Sequence, residues 1–494
     1  MEFAATDVRI KTKPKRRLHE TWLLIGLDLL IIYACFAIGR TTNWVVNGLT
    51  FEQALFGWQT DYGATRAVIA LTLGIACLIM FARFGHYDRR RPFWQELGDI
   101  LGVVVMMAIL DAALVFLTKT NFSRLWWGAS WSLVAILVPT VRYAVKQFLM
   151  SKGAWLRPTV IIGVGPNAQD TALALESEPL LGFNVVAFIQ PSNKDAETPG
   201  SIEVGATTLP VLPSAPFPDL LPSHLGRPHV VVAMAMDEMV AHASYVERLS
   251  LSYSDVDIIS PMRGLPLAGT QVTHFFTHDV LALRLYNSLS RPWPRRIKRC
   301  FDLAVGCLLL LFSAPLFALI GWRLARKGGP VFFGHIRIGK GGRRFKCLKF
   351  RTMVPDADRV LDDHLDAHPE FKEEWETHHK LRHDPRITRM GKWLRRTSLD
   401  ELPQLINVIK GEMSLVGPRP VVADELDRYG DNLVYYVESK PGLTGLWQVS
   451  GRSDVTYRQR VHLDSWYVRN WSLWCDLVIL IKTPKAVLKG FGAY

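Results

Sequence analysis

Four apolar stretches, at about residues 21 to 39, 66 to 83, 100 to 117 and 128 to 147, fill the start of the chain. Each approaches the ~20 residues that carry a helix across a bilayer core, so residues 1–150 are predicted to form a transmembrane helical bundle. The first stretch is too long, and too poorly supplied with a small-residue cleavage site, for a cleaved signal peptide. The pattern then shortens. Residues 157–190 read as strand, glycine turn, helix and strand, and further strands are expected at 229–233 and 256–260, giving an α/β unit over 151–290. Proline-rich stretches at 210–222 and Pro292–Pro294 read as loop and linker. A fifth apolar run, Phe301 to Trp322, opens a third region over 291–494, where short motifs dense in glycine, proline and arginine replace long periodic segments.

Basic residues orient the spans. Arg9, Lys11, Lys13, Lys15, Arg16 and Arg17 precede the first, and Arg83, Arg89, Arg90 and Arg91 separate the second from the third, which places both ends in the cytoplasm. The other two loops carry only Arg40 and Arg66, then Lys119 and Arg124, and face outward. Everything after the fourth span is therefore expected inside. The fifth run is basic on both flanks, with Arg295, Arg296, Lys298 and Arg299 before it and Arg323, Arg326 and Lys327 after. Pro315, with Ser313 two residues earlier, predicts a helix-break-helix that enters and leaves by the cytoplasmic face. An ordinary fifth span with a mild kink is the alternative.

A net charge of +13 suits an anionic partner, and 49% hydrophobic residues beside 21% charged ones favour lipid or a phosphorylated substrate over nucleic acid. The six cysteines show no CxxC spacing and suggest neither a zinc site nor a disulfide framework. In the middle region Gly163, Gly165 and Ala168 form a GxGxxA pattern after an apolar strand, as in a dinucleotide-binding unit. Pro166 occupies the turn, and the second strand ends at Ile189 and Gln190 where an acid for a ribose would stand. The predicted Rossmann-like domain is thus degenerate. Nucleotide binding and a structural or dimerising role are both open.

Three motifs of the last region carry candidate chemistry. GHIRIGKGGRRFKCLKFRTM, Gly334 to Met353, places Lys349 and Arg351 in a glycine-turned basic segment suited to phosphate, or to a β-hairpin on an anionic membrane. LRRTSLDELPQLINVIKGEMSLVGPRP, Leu394 to Pro420, sets Asp400 and Glu401 side by side, with Arg395 and Arg396 before and Arg419 after. Ser398-x-x-Glu401 also fits a helix capping box. Converging arginines, however, can hold a diphosphate and lower a carboxylate pKa, as a carboxylate nucleophile needs. In KPGLTGLWQVSGR, Lys440 to Arg452, the residues Trp447, Gln448 and Arg452 could meet a base or sugar, or Trp447 could simply pack the loop.

Together with the run from Lys298 to Gly334, these motifs resemble the bacterial polyprenyl-phosphate hexose-1-phosphate transferases over nearly the whole C-terminal 200 residues, and the N-terminal half resembles that family's long form. The resemblance implies a membrane α-helical bundle, a cytoplasmic α/β Rossmann-like domain and a mixed α/β monotopic catalytic domain with a reentrant membrane helix broken at Ser313 and Pro315. Here Ala314 separates the Ser and Pro that relatives often join. It implies transfer of hexose-1-phosphate from a UDP-hexose, UDP-galactose before UDP-glucose, to undecaprenyl phosphate with release of UMP, opening surface polysaccharide synthesis at the bacterial inner membrane. By the same resemblance Asp400 is the nucleophile and Glu401 the acid that binds Mg2+. Arg395 and Arg419 are phosphate contacts, and Arg452 lies in the uridine loop. Lys349, Arg351 and Gln404 complete the expected substrate-binding set, with membrane lipid and a second copy of the chain as further partners. A nucleotide-sensing membrane regulator and a UDP-releasing hexosyltransferase are the rival functions.

Overall fold

The computed structural model describes residues 16–48, 61–118, 123–191, 200–372, 384–451 and 456–488, apart from short stretches at 206, 215–220, 223–224, 226–227, 254, 267–269, 276–277, 286–288 and 290, and adds 375 and 381. The chain forms two compact units, residues 1–263 and 264–494.

The first unit begins with helices α1 (Arg16–Asn47), α2 (Asp61–Arg83), α3 (Phe93–Thr118) and α4 (Arg124–Ser151). Each contains a segment long and apolar enough to cross a membrane. Leu30, Val105, Ile109 and Phe116 point outward, while Ile32, Cys35, Leu73, Phe81, Val103 and Val134 fill the interior. That interior is also charged. Arg142 donates to Asp28 at 2.8 Å and to Glu96 at 2.9 Å, and Glu96 also accepts from Lys146 at 2.5 Å. Arg66 was expected in an outer loop; it lies within α2 and pairs with buried Asp111 at 2.6 Å. Charges held in an apolar bundle persist only when paired, and these pairs fix which helix faces meet.

A six-stranded mixed sheet follows: β1 (Arg157–Ile162), β2 (Phe183–Gln190), β3 (Ser201–Val204), β4 (Thr207–Pro213), β5 (His229–Val232) and β6 (Val256–Ile258), in the order β3-β4-β2-β1-β5-β6. All neighbours are parallel except edge strand β3. Helix α5 (Pro166–Ser177) follows β1, and α6 (Met236–Ala241) and α7 (Ala243–Ser252) follow β5. Side chains alternate between two cores, Val160, Ile162, Ile189 and Val230 on one face and Ile161, Phe188 and Val231 on the other. Gly163 has φ 118°, and a Cβ there would meet the Ala233 carbonyl at 2.8 Å. Close strand packing alone therefore requires this glycine. The expected loop from 210 begins instead as strand: β4 pairs antiparallel with β3 up to Pro210 and parallel with β2 from Val211 to Pro213. Pro210 stands at the change of partner, where a missing N–H is least costly.

The second unit holds the hairpin β7 (Gln271–Phe275) and β8 (His278–Arg284), helix α8 (Pro292–Ala325), and the hairpin β9 (Phe332–Ile338) and β10 (Arg344–Phe350). Then come α9 (Ala357–Ala367), α10 (Arg389–Arg396), α11 (Gln404–Lys410), β11 (Ser414–Val416), α12 (Leu433–Glu438), β12 (Gly442–Thr444), α13 (Leu446–Val449), α14 (Tyr457–Arg469) and α15 (Leu473–Leu488). Pro292 and Pro294, read as linker, occupy the first turn of α8, where a helix needs no N–H donor. Ser313 and Pro315, where a break was expected, lie inside that helix, which runs without interruption from Pro292 to Ala325.

Both ends of α8 dock on one body. Near its start Lys298 reaches Asp476 at 2.7 Å, Arg299 donates to the Val408 and Ile409 carbonyls at the end of α11, and Asp302 accepts from Ser414 and the Leu415 N–H. Near its end Ile320 and Leu324 pack with Phe350 and Leu394. Between these anchors Leu308, Leu311 and Phe312 are 51%, 70% and 75% exposed. Trp471 is buried and donates to Asp476 at 3.1 Å. An indole N–H beside a buried carboxylate is worth more in the core than at the headgroups.

Candidate active site

The carboxylate pair is positioned by the joint between β10 and α10. Thr388 caps α10 by accepting from the Gly391 N–H at 3.0 Å, and its own N–H donates to the Thr352 carbonyl at 3.0 Å. Gly391 packs directly on that carbonyl, where a Cβ would collide. Arg395 Nε then donates to Thr352 Oγ1 at 3.0 Å, and Leu394 is fully buried. The helix ends in Ser398 at φ 55°, the one non-glycine residue with positive φ among the described residues. Left-handed backbone costs a serine about 1–2 kcal/mol. Here it turns the chain sharply into the 3-10 turn Leu399–Glu401. Ser398 makes no side-chain cap hydrogen bond, so the capping box is not formed. A left-handed residue cannot present its hydroxyl to the turn as an extended N-cap does.

Asp400 is only 6% exposed, and Lys349 reaches from β10 to both acids, at 3.2 Å from Asp400 Oδ2 and 2.8 Å from Glu401 Oε1. Burial pushes the Asp400 carboxyl above the ordinary aspartate range, opposed by Lys349 and Arg395 and reinforced by Glu401. Arginines converging on the pair were expected to lower it; desolvation outweighs them. Burial would also lower the Lys349 ammonium, but Glu401 and Asp400 together hold it above its ordinary value. The result is a buried carboxylate with one oxygen committed to an ammonium, beside a more exposed second acid. It is equipped to attack an electrophile whose negative charge the same ammonium offsets.

The profile of bacterial sugar transferases matches residues 293–490, and that of a CoA-binding domain matches residues 82–214. Undecaprenyl-phosphate galactose phosphotransferase of Salmonella typhimurium is 43% identical over 90% of this chain and 92% of its own length. This chain belongs to the bacterial sugar transferase family. Its relatives include UDP-glucose:undecaprenyl-phosphate glucose-1-phosphate transferase of Xanthomonas campestris pv. campestris, 30% identical over 92% of this chain and 93% of the relative. Exopolysaccharide production protein ExoY of Sinorhizobium fredii is 54% identical over 41% of this chain but 91% of its own length.

The remaining expected residues of this sugar transferase divide into those facing the acids and those turned elsewhere. Gln404 opens α11, one helical turn beyond Asp400, and is buried. Arg351 donates to the Leu324 carbonyl at 3.2 Å, closing the last turn of α8, while its buried Nη1 has no hydrogen-bond partner. Arg452 lies outside the described residues. Arg419 sits in the turn after β11, its guanidinium 5.5 Å from the centre of the Trp447 ring and close enough to Glu401 for the two charges to act on each other. Trp447 is buried on the short helix α13 and forms part of a cationic cluster.

Sequence reasoning missed Glu425, Arg460 and Asp464, whereas Arg337 lies in the basic Gly334 to Met353 segment already read as suited to phosphate. In the antiparallel register Arg337 shares a hairpin face with Cys347 and Lys349, and it approaches Glu425 at 3.8 Å. Asp464 accepts from Tyr429 at 3.1 Å and from the Arg419 N–H at 3.4 Å, and burial pushes its carboxyl up to about 7. The available signal was Arg460 and Asp464 four residues apart on α14, too common a spacing to single out. Among the described residues no group of three or more His, Cys, Asp and Glu could hold a metal. Glu401, a third exposed beside the buried Asp400, still fits Mg2+, which binds through one or two carboxylates and completes its shell with water and substrate phosphates.

Proposed function

We propose that this sugar transferase moves hexose-1-phosphate, galactose-1-phosphate first and glucose-1-phosphate next, from a UDP-hexose to undecaprenyl phosphate and releases UMP. Asp400 attacks the β-phosphorus, the bond from that phosphorus to the oxygen bridging it to the α-phosphorus breaks, and UMP leaves with that oxygen. An oxygen of the lipid phosphate then attacks the same phosphorus and releases the Asp400 carboxylate. Lys349 offsets charge at the attacking oxygen, Gln404 contributes to the pocket wall, and Arg395, Arg419 and Arg452 hold the diphosphate and nucleotide. Mg2+, which Glu401 would hold, neutralises the diphosphate when bound. The observation that carries the reading is a buried Asp400 gripped by Lys349 immediately after a strained turn.

The site belongs at the cytoplasmic face of the bacterial inner membrane. Supporting this, α8 would span about 51 Å if straight, yet Gly306 packs against Val408 of α11 while Leu324 packs against Phe350, and β10 bonds α11 through the Leu348 N–H and Asn407 at 3.0 Å. One body close to both ends cannot lie on both sides of a bilayer, and the exposed Leu308 to Phe312 segment is left to enter it. We assign 1–150 to membrane anchoring, 151–290 to the Rossmann-like domain and 291–494 to catalysis. The exposed Val240, Leu251 and Ile258 of the sheet domain, on α6, α7 and edge strand β6, suit a homodimer contact. The product is the first lipid-linked intermediate of a surface polysaccharide. Chromatography of the nucleotide released from UDP-galactose and UDP-glucose tests the reading: UMP is expected, whereas UDP would mean hexosyl transfer and no nucleotide a non-catalytic role.

A further inference from the structure

Three arginines converge beyond the carboxylate pair. Arg419 and Arg460 place their guanidinium carbons 5.5 and 5.4 Å from the centre of the same Trp447 ring, and Arg419 also feels the charge of Arg337. Arg337 is tied to the Pro420 carbonyl at 3.3 Å. Two acids stand against this charge: Glu401, acting on Arg419, and Glu425, which is 3.8 Å from Arg337 and 4.0 Å from Arg460, both beyond hydrogen-bond reach. Asp464, which accepts from the Arg419 N–H, is held toward neutrality by its burial. Side-chain exposures of 22% for Arg337 and 14% for Arg460 leave these cations little water. Two donors in the cluster, Arg460 Nε and the indole N–H of Trp447, are buried and have no hydrogen-bond partner, and Trp447 is 7% exposed. Like charges gathered out of water with unmet donors are costly unless an anion completes them.

We propose that Arg460, Arg337 and the Trp447 N–H form a phosphate-binding subsite beside Arg419, which receives the phosphoryl group not bonded to Asp400. This rests on the two-step transfer above. Two sources fit the same chemistry: the phosphate of departing UMP and the phosphate of the incoming lipid.

The test uses the full chain in detergent micelles, with Arg460→Met, Arg460→Lys and Arg337→Met. Equilibrium dialysis of labelled UMP gives its affinity, and steady-state turnover gives the KM for undecaprenyl phosphate. If the subsite holds the nucleotide phosphate, both Met variants weaken UMP binding tenfold or more and leave the lipid KM unchanged. If it holds the lipid phosphate, the KM rises by that factor and UMP affinity stays. Arg460→Lys should lose less than Arg460→Met in either case, because a purely packing role on Tyr457 and Trp447 would not follow charge. Wild-type values for both quantities in folded Met variants would overturn the proposal. Should Arg460→Met fail to fold, Arg337→Met decides alone. A wild type that binds UMP but never releases it from UDP-hexose would instead defeat the functional reading and leave the subsite standing.

Discussion

At the scale of single residues, the site depends on an acid that burial would rather keep neutral. Asp400→Asn should abolish both UMP release and any covalent sugar-phosphate adduct, because a carboxamide has no charge with which to attack phosphorus. Intact-protein mass spectrometry after incubation with UDP-galactose reads the adduct, and an adduct on the Asn variant would remove Asp400 from its role. Lys349→Met tests the ammonium. Since Lys349 holds the Asp400 pKa down against burial, its removal should raise that pKa further. The active form is the carboxylate, so the acid limb of the kcat/KM profile should move to higher pH. At neutral pH the loss should be roughly 10- to 100-fold, the size of one charge-assisted contact of about 1.5–3 kcal/mol. An unmoved acid limb would show that Lys349 does not govern the nucleophile.

At the scale of elements, long periodic segments were the most legible. The four N-terminal helices and the β9–β10 hairpin appear where the apolar runs and the paired glycines place them, and strands β1, β2, β5 and β6 lie within two residues of their expected positions. What failed was context. Pro292 and Pro294 signal a break or a helix start equally well, and only Arg299 and Asp302 docking onto α11 and β11 decides between them. The link from Lys349 to Asp400 spans 51 residues, so sequence could nominate both residues without showing that they touch. Arg460 and Asp464 were invisible because each owes its place to partners far along the chain. Helix α8 carries the testable prediction of this scale. With cysteines at Ile297 and Ala325 in a cysteine-free background, an impermeant thiol reagent should label neither in intact cells and both in inverted vesicles. The flanking Arg295, Arg296, Arg323, Arg326 and Lys327 oppose export of either end. Labelling of Ala325→Cys from outside would establish a true span and displace the cytoplasmic site.

At the scale of the whole molecule, every residue assigned to chemistry lies in the second unit, which is compact by itself. Removing residues 1–263 should therefore leave membrane-bound protein that still transfers sugar-phosphate, within about tenfold of the full chain. A folded but inert fragment would show that the first unit supplies part of the site. Association is expected to follow the first unit instead. Val240→Glu with Leu251→Glu should halve the particle mass in light scattering of the detergent-solubilised chain and leave UMP release intact, since burying a carboxylate in an apolar contact is strongly unfavourable. An unchanged mass would place any dimer contact elsewhere.

The two anchored ends of α8 bear on the bilayer as well as on the enzyme. On the proposed topology, in which the Leu308 to Phe312 segment enters the bilayer from the cytoplasmic side without crossing it, lipid is displaced from that leaflet alone, so each bound molecule would widen the inner monolayer against the outer. Wedge-shaped insertions of this kind are relieved where the monolayer that holds them is convex. The isolated second unit, added to vesicles from outside, should accordingly partition more strongly onto small, highly curved liposomes than onto large flat ones of the same lipid. Exchanging exposed Leu311 and Phe312 for serine should erase that preference.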